Sequence, residues 1–412
     1  MTTRHGILHV LGQRTYGTYV AGNAVSLIGA WMQRIGVGWL TWELTESGAW
    51  LGLVAFADLF PVVLVGPLGG VIADRVDRMK IIMIAQSLAM LQAFVLAVLT
   101  VTGLIQVELL VALSAVHGII VAFNQPSRLA FVPSLVDRKD LPTAIAINGI
   151  VFNVARFVGP AFAGALILSA GVAAVFAANA LSFLFLLLAL YRIRADVKRE
   201  TREGAPSKSV FGDIADGLRY AARHPGIGPL LLLLAVLSVS VRPFVELLPG
   251  LTAAVYGRGA EGLAILSSAV GIGAIAGGFW LARRRGNRGL TGIALTSALM
   301  TALAIAGLAT TDRFPVAVAA VTVAGIMMVV TGVSTQTLLQ LGVDGAMRGR
   351  VLSLYGIIFR GGPAVGALIM GTVSEATGLR WPLAGGALIA MAVWAWLLRH
   401  RRRIAATLEP DG

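Results

Sequence analysis

Twelve long apolar stretches, each separated from the next by a short polar break, constrain this chain more than any other feature. They cover residues 18–40, 51–73, 81–103, 107–125, 144–168, 172–191, 227–253, 262–282, 290–309, 314–341, 351–373 and 382–399. A helix of about 20 such residues crosses the roughly 30 Å hydrocarbon core of a bilayer and satisfies its own backbone there. The runs are continuous rather than alternating, which argues against a transmembrane barrel. The chain is 57% hydrophobic and only 13% charged, whereas an ordinary soluble domain is about 45–50% apolar and about 25% charged. A water-soluble enzyme, a disordered chain and a fibrous one are excluded. Cysteine is absent, which removes disulfide scaffolds, thiol nucleophiles and cysteine metal sites. The expected class is an all-α membrane protein with twelve transmembrane helices.

The net charge of +13 would suggest nucleic acid in a soluble protein. Its placement says otherwise. With both termini cytoplasmic, 26 of the 33 Lys and Arg fall in inside segments, and three, Arg258, Arg313 and Arg380, fall outside. Such asymmetry predicts an N-in, C-in topology. The run from Arg399 to Arg403 then serves as an anchoring collar, and no nucleic-acid partner is expected. Residues 1–17 lack a small-residue cleavage site and are expected to be a cytoplasmic lead-in. The longest hydrophilic stretch, 192–226, has the Gly, Pro and Ser content of a linker, with an amphipathic interfacial helix expected over 211–223. It divides the chain into a six-helix bundle at 18–191 and another at 227–399, followed by a cytoplasmic tail at 400–412.

The halves repeat at an offset near 208. Arg34 matches Arg242, and Gly70-Val-Ile-Ala-Asp74-Arg75 matches Gly278-Phe-Trp-Leu-Ala282-Arg283. Arg156-Phe-Val-Gly-Pro160 matches Arg360-Gly-Gly-Pro363 at an offset of 203–204. Parallel repeats of this kind put a substrate site between the halves near the bilayer midplane.

The loop Gly70-Val-Ile-Ala-Asp74-Arg75-Val-Asp77-Arg78-Met-Lys80 resembles the G-x-x-x-D-R-x-G-R-[RK] signature of the major facilitator superfamily. Several stretches are similar to its enterobactin-exporter and transmembrane secretion effector branch. They are Asn124-Gln-Pro-Ser-Arg128, Asn153-Val-Ala-Arg156-Phe-Val-Gly-Pro160, Arg242-Pro-Phe-Val-Glu246 and Arg348-Gly-Arg350-Val-Leu-Ser353. The resemblance covers about residues 15–400. It implies a bacterial-type inner membrane, two pseudo-symmetric six-helix bundles and alternating access. It also implies a cytoplasmic gate formed by Gly70, Asp74, Arg75, Arg78 and Arg128, with Asp74 capping the start of span 11 and pairing with Arg128. Two departures matter. Asp77 stands where the signature has Gly, which costs little if φ there is negative. Ala282 replaces the acid in the second copy, so only the first half can make the gate contact. The glycine ladder of the antiporter motif in span 5 is also thinner here.

Ionisable groups inside spans are expensive unless paired or facing a cavity. Here they are Arg34, Asp58, His117, Arg156, Arg242, Glu246 and Arg360. Arg34 and Asp58 both lie about 10 Å below the outer surface at 1.5 Å per residue, so they are expected to pair. Arg242 and Glu246 are four apart, and Pro243 and Pro249 predict a broken span 7. Asp58 and Glu246 are either structural ion-pair partners or proton-coupling groups. His117 is either a proton relay or a hydrogen-bonding packer. Arg156 and Arg360 have no carboxylate at their depth, so they either attract an anionic or polar-headed substrate or bind carbonyls freed by the adjacent prolines. Asn148, Asn153, Gln336 and Gln340 add neutral cavity groups.

No G-x-x-x-x-G-K-[ST] phosphate loop, H-E-x-x-H or nucleophile elbow occurs, so neither an ATP-driven pump nor a hydrolase is supported. No catalytic residue, metal or cofactor is expected. The expectation is a monomeric secondary transporter that exports a small amphipathic compound, siderophore or drug-like, driven by a proton gradient. A lipid or lysophospholipid flippase is the alternative within transport, and a non-transporting receptor or scaffold the alternative outside it. Besides the substrate, the expected partners are protons and membrane lipids.

Overall fold

The computed structural model describes residues 6–195, 210–284 and 286–409. Fifteen helices follow one another, and no strand occurs among the described residues. They are α1 (Ile7–Gly12), α2 (Arg14–Thr45), α3 (Gly48–Arg75), α4 (Arg78–Val101), α5 (Val107–Phe131), α6 (Leu141–Ala170), α7 (Val172–Ile193), α8 (Val210–Arg223), α9 (Ile227–Ser240), α10 (Phe244–Gly250), α11 (Ala260–Ala282), α12 (Leu290–Thr310), α13 (Phe314–Gly342), α14 (Gly345–Thr377) and α15 (Arg380–Leu408). A π-helical turn, Leu251–Val255, extends α10. Eleven of the described helical segments are long and apolar enough to cross a membrane, the α9–α10 run counting as one. The 32-residue α2 is the twelfth long helix. Its load of Asn23, Gln33 and Arg34 keeps it out of the apolar set.

Several helices are longer than their apolar stretches. The 33 residues of α14 span about 50 Å at 1.5 Å each, well over the hydrocarbon thickness. Hydropathy marks the part of a helix that suits lipid, whereas backbone hydrogen bonding carries it on until a cap or glycine stops it. Two such stops are equivalent in the repeat. Gly171 (φ 80°) closes α6 and Gly378 (φ 81°) closes α14, each donating its N–H to the carbonyl four residues back. A left-handed residue is cheap only for glycine. The next helix therefore starts at once in both halves.

The chain forms two compact units, Met1–Leu44 with Pro61–Ser207, and Thr45–Phe60 with Lys208–Gly412. In the first, α4 packs against α5 and α7. Tyr16, Tyr19, Ile82, Phe131, Leu186 and Leu190 form a core there that also buries Val10 of α1. In the second, α12 packs against α13 and α15, and α9 against α14 and α15. Each unit thus repeats the contacts of its third helix with its fourth and sixth. The first half of α3, as far as Phe60, belongs to the second unit, where Glu375 of α14 accepts hydrogen bonds from Ser47 Oγ (2.7 Å) and the Ala49 N–H (3.0 Å). The amphipathic helix expected within the linker is present as α8, packed on α14.

Candidate functional site

The signature loop is a joint between three helices. Asp77 has φ −53° and caps α4, its carboxylate accepting from the N–H of Met79 (2.9 Å) and of Lys80 (3.4 Å). The negative φ explains why glycine is not needed there. An aspartate cap also satisfies two of the donors orphaned at a helix start. Arg78 donates to Ala130 O at 3.1 Å and to Ala73 O at 3.4 Å. Its cation thus ties the C-terminal carbonyls of α5 and α3 together, where the helix dipoles favour positive charge. Arg75 is exposed and Arg128 half-buried in the last turn of α5. Gly70 faces open space, with no atom within 4 Å of where a Cβ would stand. The Asp74 side chain lies outside the described residues, although its backbone is in α3.

Deeper in each unit, the first and fifth helices meet at a glycine. A Cβ on Gly159 of α6 would lie 2.5 Å from Trp31 Cβ of α2, and one on Gly362 of α14 would lie 2.4 Å from Ser238 Cβ of α9. Gly159 and Gly362 correspond in the repeat, and Ser238 stands one residue from the position that the Arg34–Arg242 register pairs with Trp31, so the duplication is one of geometry as well as of sequence. Its chemistry has diverged. In the first unit the arene is on α2. The guanidinium carbons of Arg34 and Arg156 lie 5.8 and 5.7 Å from the Trp31 ring centre, and Phe152 meets the same ring edge-on at 5.8 Å. In the second unit Ser238 replaces the tryptophan, and the arenes come from α14, where Tyr355 stacks on Phe359 at 5.5 Å.

The predicted break in span 7 is present. The N–H groups of Val241 and Arg242 both bond Leu237 O, at 3.1 and 2.9 Å, and α10 begins only at Phe244. Proline at 243 has no N–H to continue the ladder. The break throws Arg242 onto α14, where it lies 3.8 Å over the Phe359 ring and donates to Phe359 O at 3.0 Å. That carbonyl is four residues before Pro363, which has no N–H to give it. A carbonyl freed by proline is therefore bound by an arginine, Arg242.

Glu246 lies half-buried in the first turn of α10, while Arg242 is in the turn before it. Asp58 and His117 are half-buried on α3 and α5, and Arg360, Gln336 and Gln340 are exposed on α14 and α13. Arg34 and Asp58 fall in different compact units. Asn148 donates to Tyr16 Oη (3.4 Å) and Ala144 O (3.2 Å), and Asn153 to Gly149 O (2.8 Å). Those bonds tie both amides to nearby protein groups.

The profile of the transmembrane secretion effector family, within the major facilitator superfamily, matches residues 7–410. The chain belongs to this family. The staphyloferrin A transporter of Staphylococcus aureus is 24% identical over 365 residues, covering 88% of this chain and 90% of that one. Macrolide efflux protein A of Streptococcus pyogenes is 24% identical over 377 residues (90% and 92%), and the enterobactin exporter EntS of Escherichia coli 26% over 334 (80% and 76%). Among solved structures, a bacterial homologue of the iron transporter ferroportin in an inward-facing state superposes with a TM-score of 0.72. It shares 16% identity and covers 94% of this chain and 98% of its own. The protein is thus a multi-pass membrane transporter with the major facilitator fold, and not an enzyme.

One polar feature of this family member lies apart from every site residue expected from the sequence. Asn179 of α7 donates to Gln33 Oε1 at 2.7 Å, Gln33 donates to Gln92 Oε1 of α4 at 3.0 Å, and Gln92 donates to Leu113 O of α5 at 3.2 Å. Ser26 joins Gln86 at 3.2 Å, and Ser182 joins Asn179 Oδ1 at 3.0 Å. All six side chains are buried. The signal was the recurrence of neutral polar groups within apolar helices, at 26 and 33 on α2, 86 and 92 on α4, and 179 and 182 on α7.

Proposed function

We propose that this protein exports a small amphipathic compound, siderophore or drug-like, by alternating access coupled to proton entry across a bacterial inner membrane, with both termini cytoplasmic. The observation that carries the reading is the pairing of arginine with an arene where the first and fifth helices of each unit meet: Arg34 and Arg156 at Trp31, and Arg242 at Phe359. Cations beside aromatic faces suit a ligand with an anionic or polar head and an apolar body. The similarity to transporters named for staphyloferrin A, enterobactin and macrolides supports the same class. In this reading Arg34, Asn148, Asn153, Arg156, Arg242, Gln336, Gln340 and Arg360 are the cavity set. Asp58 and Glu246 carry the proton, with His117 as a relay. Asp74 and Arg128, framed by Gly70, Arg75 and Arg78, form a gate contact that exists in one conformation and breaks in the other. The protein works as a monomer.

The test is flux in proteoliposomes loaded with a siderophore or macrolide. An imposed pH gradient is expected to drive flux in the wild type, and Asp58→Asn or Glu246→Gln to uncouple it from the gradient. Flux that ignores both the gradient and these substitutions would refute proton exchange. A thermal-shift screen against siderophores, antibiotics and lysolipids identifies the ligand class, since a bound ligand stabilises by mass action.

A further inference from the structure

The last helix does not stop at its arginine collar. α15 continues to Leu408, and its final turns are held in the second unit. Leu408 is fully buried, seated where a Cβ on Gly342 would lie 2.3 Å from its Cδ2 and one on Gly226 would lie 2.7 Å from its Cγ. Glu409 then accepts the N–H groups of Gly289 and Thr291 (2.7 Å for the latter), closing the start of α12 against the end of α15. Arg284 bonds Arg288 O beside this cap. The collar is therefore a rigid helix face and not a loose tail.

That face has a graded chemistry. Leu388, Ile389 and Trp396 are exposed on it, followed by exposed Arg399, Arg402 and Arg403. At about 100° and 1.5 Å per residue, Arg403 lies about 20° round the helix from Trp396, Arg399 about 60° and Arg402, at the rim of the face, about 120°, at about 10, 4.5 and 9 Å beyond it. The headgroup layer is about 5–7 Å thick on each side of a bilayer, and tryptophan prefers its inner edge. Trp396 at that edge sets Arg399 at the depth of the phosphates and the backbone of Arg402 and Arg403 just beyond it, and helical side chains tilt toward the N-terminus, which brings those guanidiniums back toward that depth. The acid nearest this face in the chain is Glu409, which is engaged with two backbone amides.

We infer that Trp396, Arg399, Arg402 and Arg403 form a preorganised site for the phosphate of an anionic phospholipid, with the indole on the acyl-chain side and the guanidiniums on the phosphate. Arginine suits the role because its planar fork meets two phosphate oxygens at once. The inference stands apart from the transport reading, since it concerns a lipid that stays bound and not cargo.

The experiment follows thermal unfolding of the purified full chain in uncharged detergent during titration with phosphatidylglycerol, phosphatidylcholine or inorganic phosphate. Phosphatidylglycerol is expected to raise Tm and the other two to leave it unchanged. In the triple variant Arg399→Gln, Arg402→Gln, Arg403→Gln the phosphatidylglycerol midpoint should move at least tenfold higher, while Arg258→Gln leaves it in place. Native mass spectrometry of Trp396→Leu, which keeps every charge, should show fewer retained phosphatidylglycerol molecules than wild type, and this arm stands if the triple variant does not fold. Equal midpoints in the triple variant and wild type would overturn the site. So would an equal Tm rise with phosphatidylcholine, a full rise with inorganic phosphate, or undiminished lipid retention in Trp396→Leu.

Discussion

Replacing Gln33 by Leu removes the centre of the amide ladder in the first unit while keeping an apolar side chain of similar bulk. Gln33 is only 4% exposed and makes two interhelical bonds, from Asn179 at 2.7 Å and to Gln92 at 3.0 Å. Side-chain bonds between membrane helices average about 0.6 kcal/mol and reach about 1.7, so two are worth about 1.2 kcal/mol with a ceiling near 3.4. The substitution also strands Asn179 Nδ2 and Gln92 Oε1 in a dry interior, which pushes the cost above the average. The expected loss is about 1–3 kcal/mol, read by reversible unfolding in mixed micelles. The rest of the ladder survives, because Gln92 still reaches Leu113 O and Asn179 still accepts from Ser182. A double-mutant cycle isolates the bond: Gln33→Leu and Asn179→Leu should couple by at least about 0.5 kcal/mol, since the pair removed together strands fewer groups than the two single changes add up to. If both single variants cost under about 0.3 kcal/mol and simply add, the ladder is not a stabilising network and the reasoning fails.

Three other outcomes are expected. Asp77→Ala should cost about 0.5–2 kcal/mol through the lost cap of α4, while Asp77→Asn, which keeps an acceptor, recovers most of it in the same unfolding assay. Arg242→Met should lower Tm because Phe359 O loses its donor, and Pro363→Ala should partly rescue it by supplying the missing backbone N–H; absence of rescue would show that the carbonyl is not what Arg242 satisfies. Burial pushes the His224 imidazole below its ordinary value of 6.5, against the opposing pull of Asp344, and its Nδ1 accepts from the N–H groups of Gly226 (3.1 Å) and Ile227 (3.2 Å) at the start of α9. Only the neutral ring makes those bonds. The folded state thus releases the proton more readily than the unfolded one, so this stabilisation is whole above about pH 6.5 and is lost as pH falls below it. Tm measured from pH 7.5 downward should fall more steeply for wild type than for His224→Asn.

What could be read in the residues was what acts locally along the chain. Apolar runs mark spans because backbone desolvation is decided within each helix. Pro243 breaks span 7 because it lacks its own N–H, and the match of Gly159 with Gly362 follows from the repeat itself. The signature loop and the family were legible for the same reason, since they are contiguous strings. The helix ends were less so: hydropathy falls at Arg399, but α15 runs on to Leu408 because Gly226, Gly342 and the amides of α12 receive it.

Partnerships across helices were not legible, since they depend on how each helix is rotated and how closely it approaches its neighbour. Nothing local says that Gln33 faces Asn179 and Gln92, that Arg242 reaches the carbonyl Pro363 leaves open, or that Arg34 and Arg156 share Trp31. The amino-acid sequence by itself determined a twelve-span transporter of duplicated halves, because hydrophobicity, proline and glycine act through the backbone they sit on. Tertiary structure alone decided which polar groups meet, because inside a helical bundle a polar side chain takes its meaning from the partner within about 3 Å, and that partner lies 59 or 146 residues away.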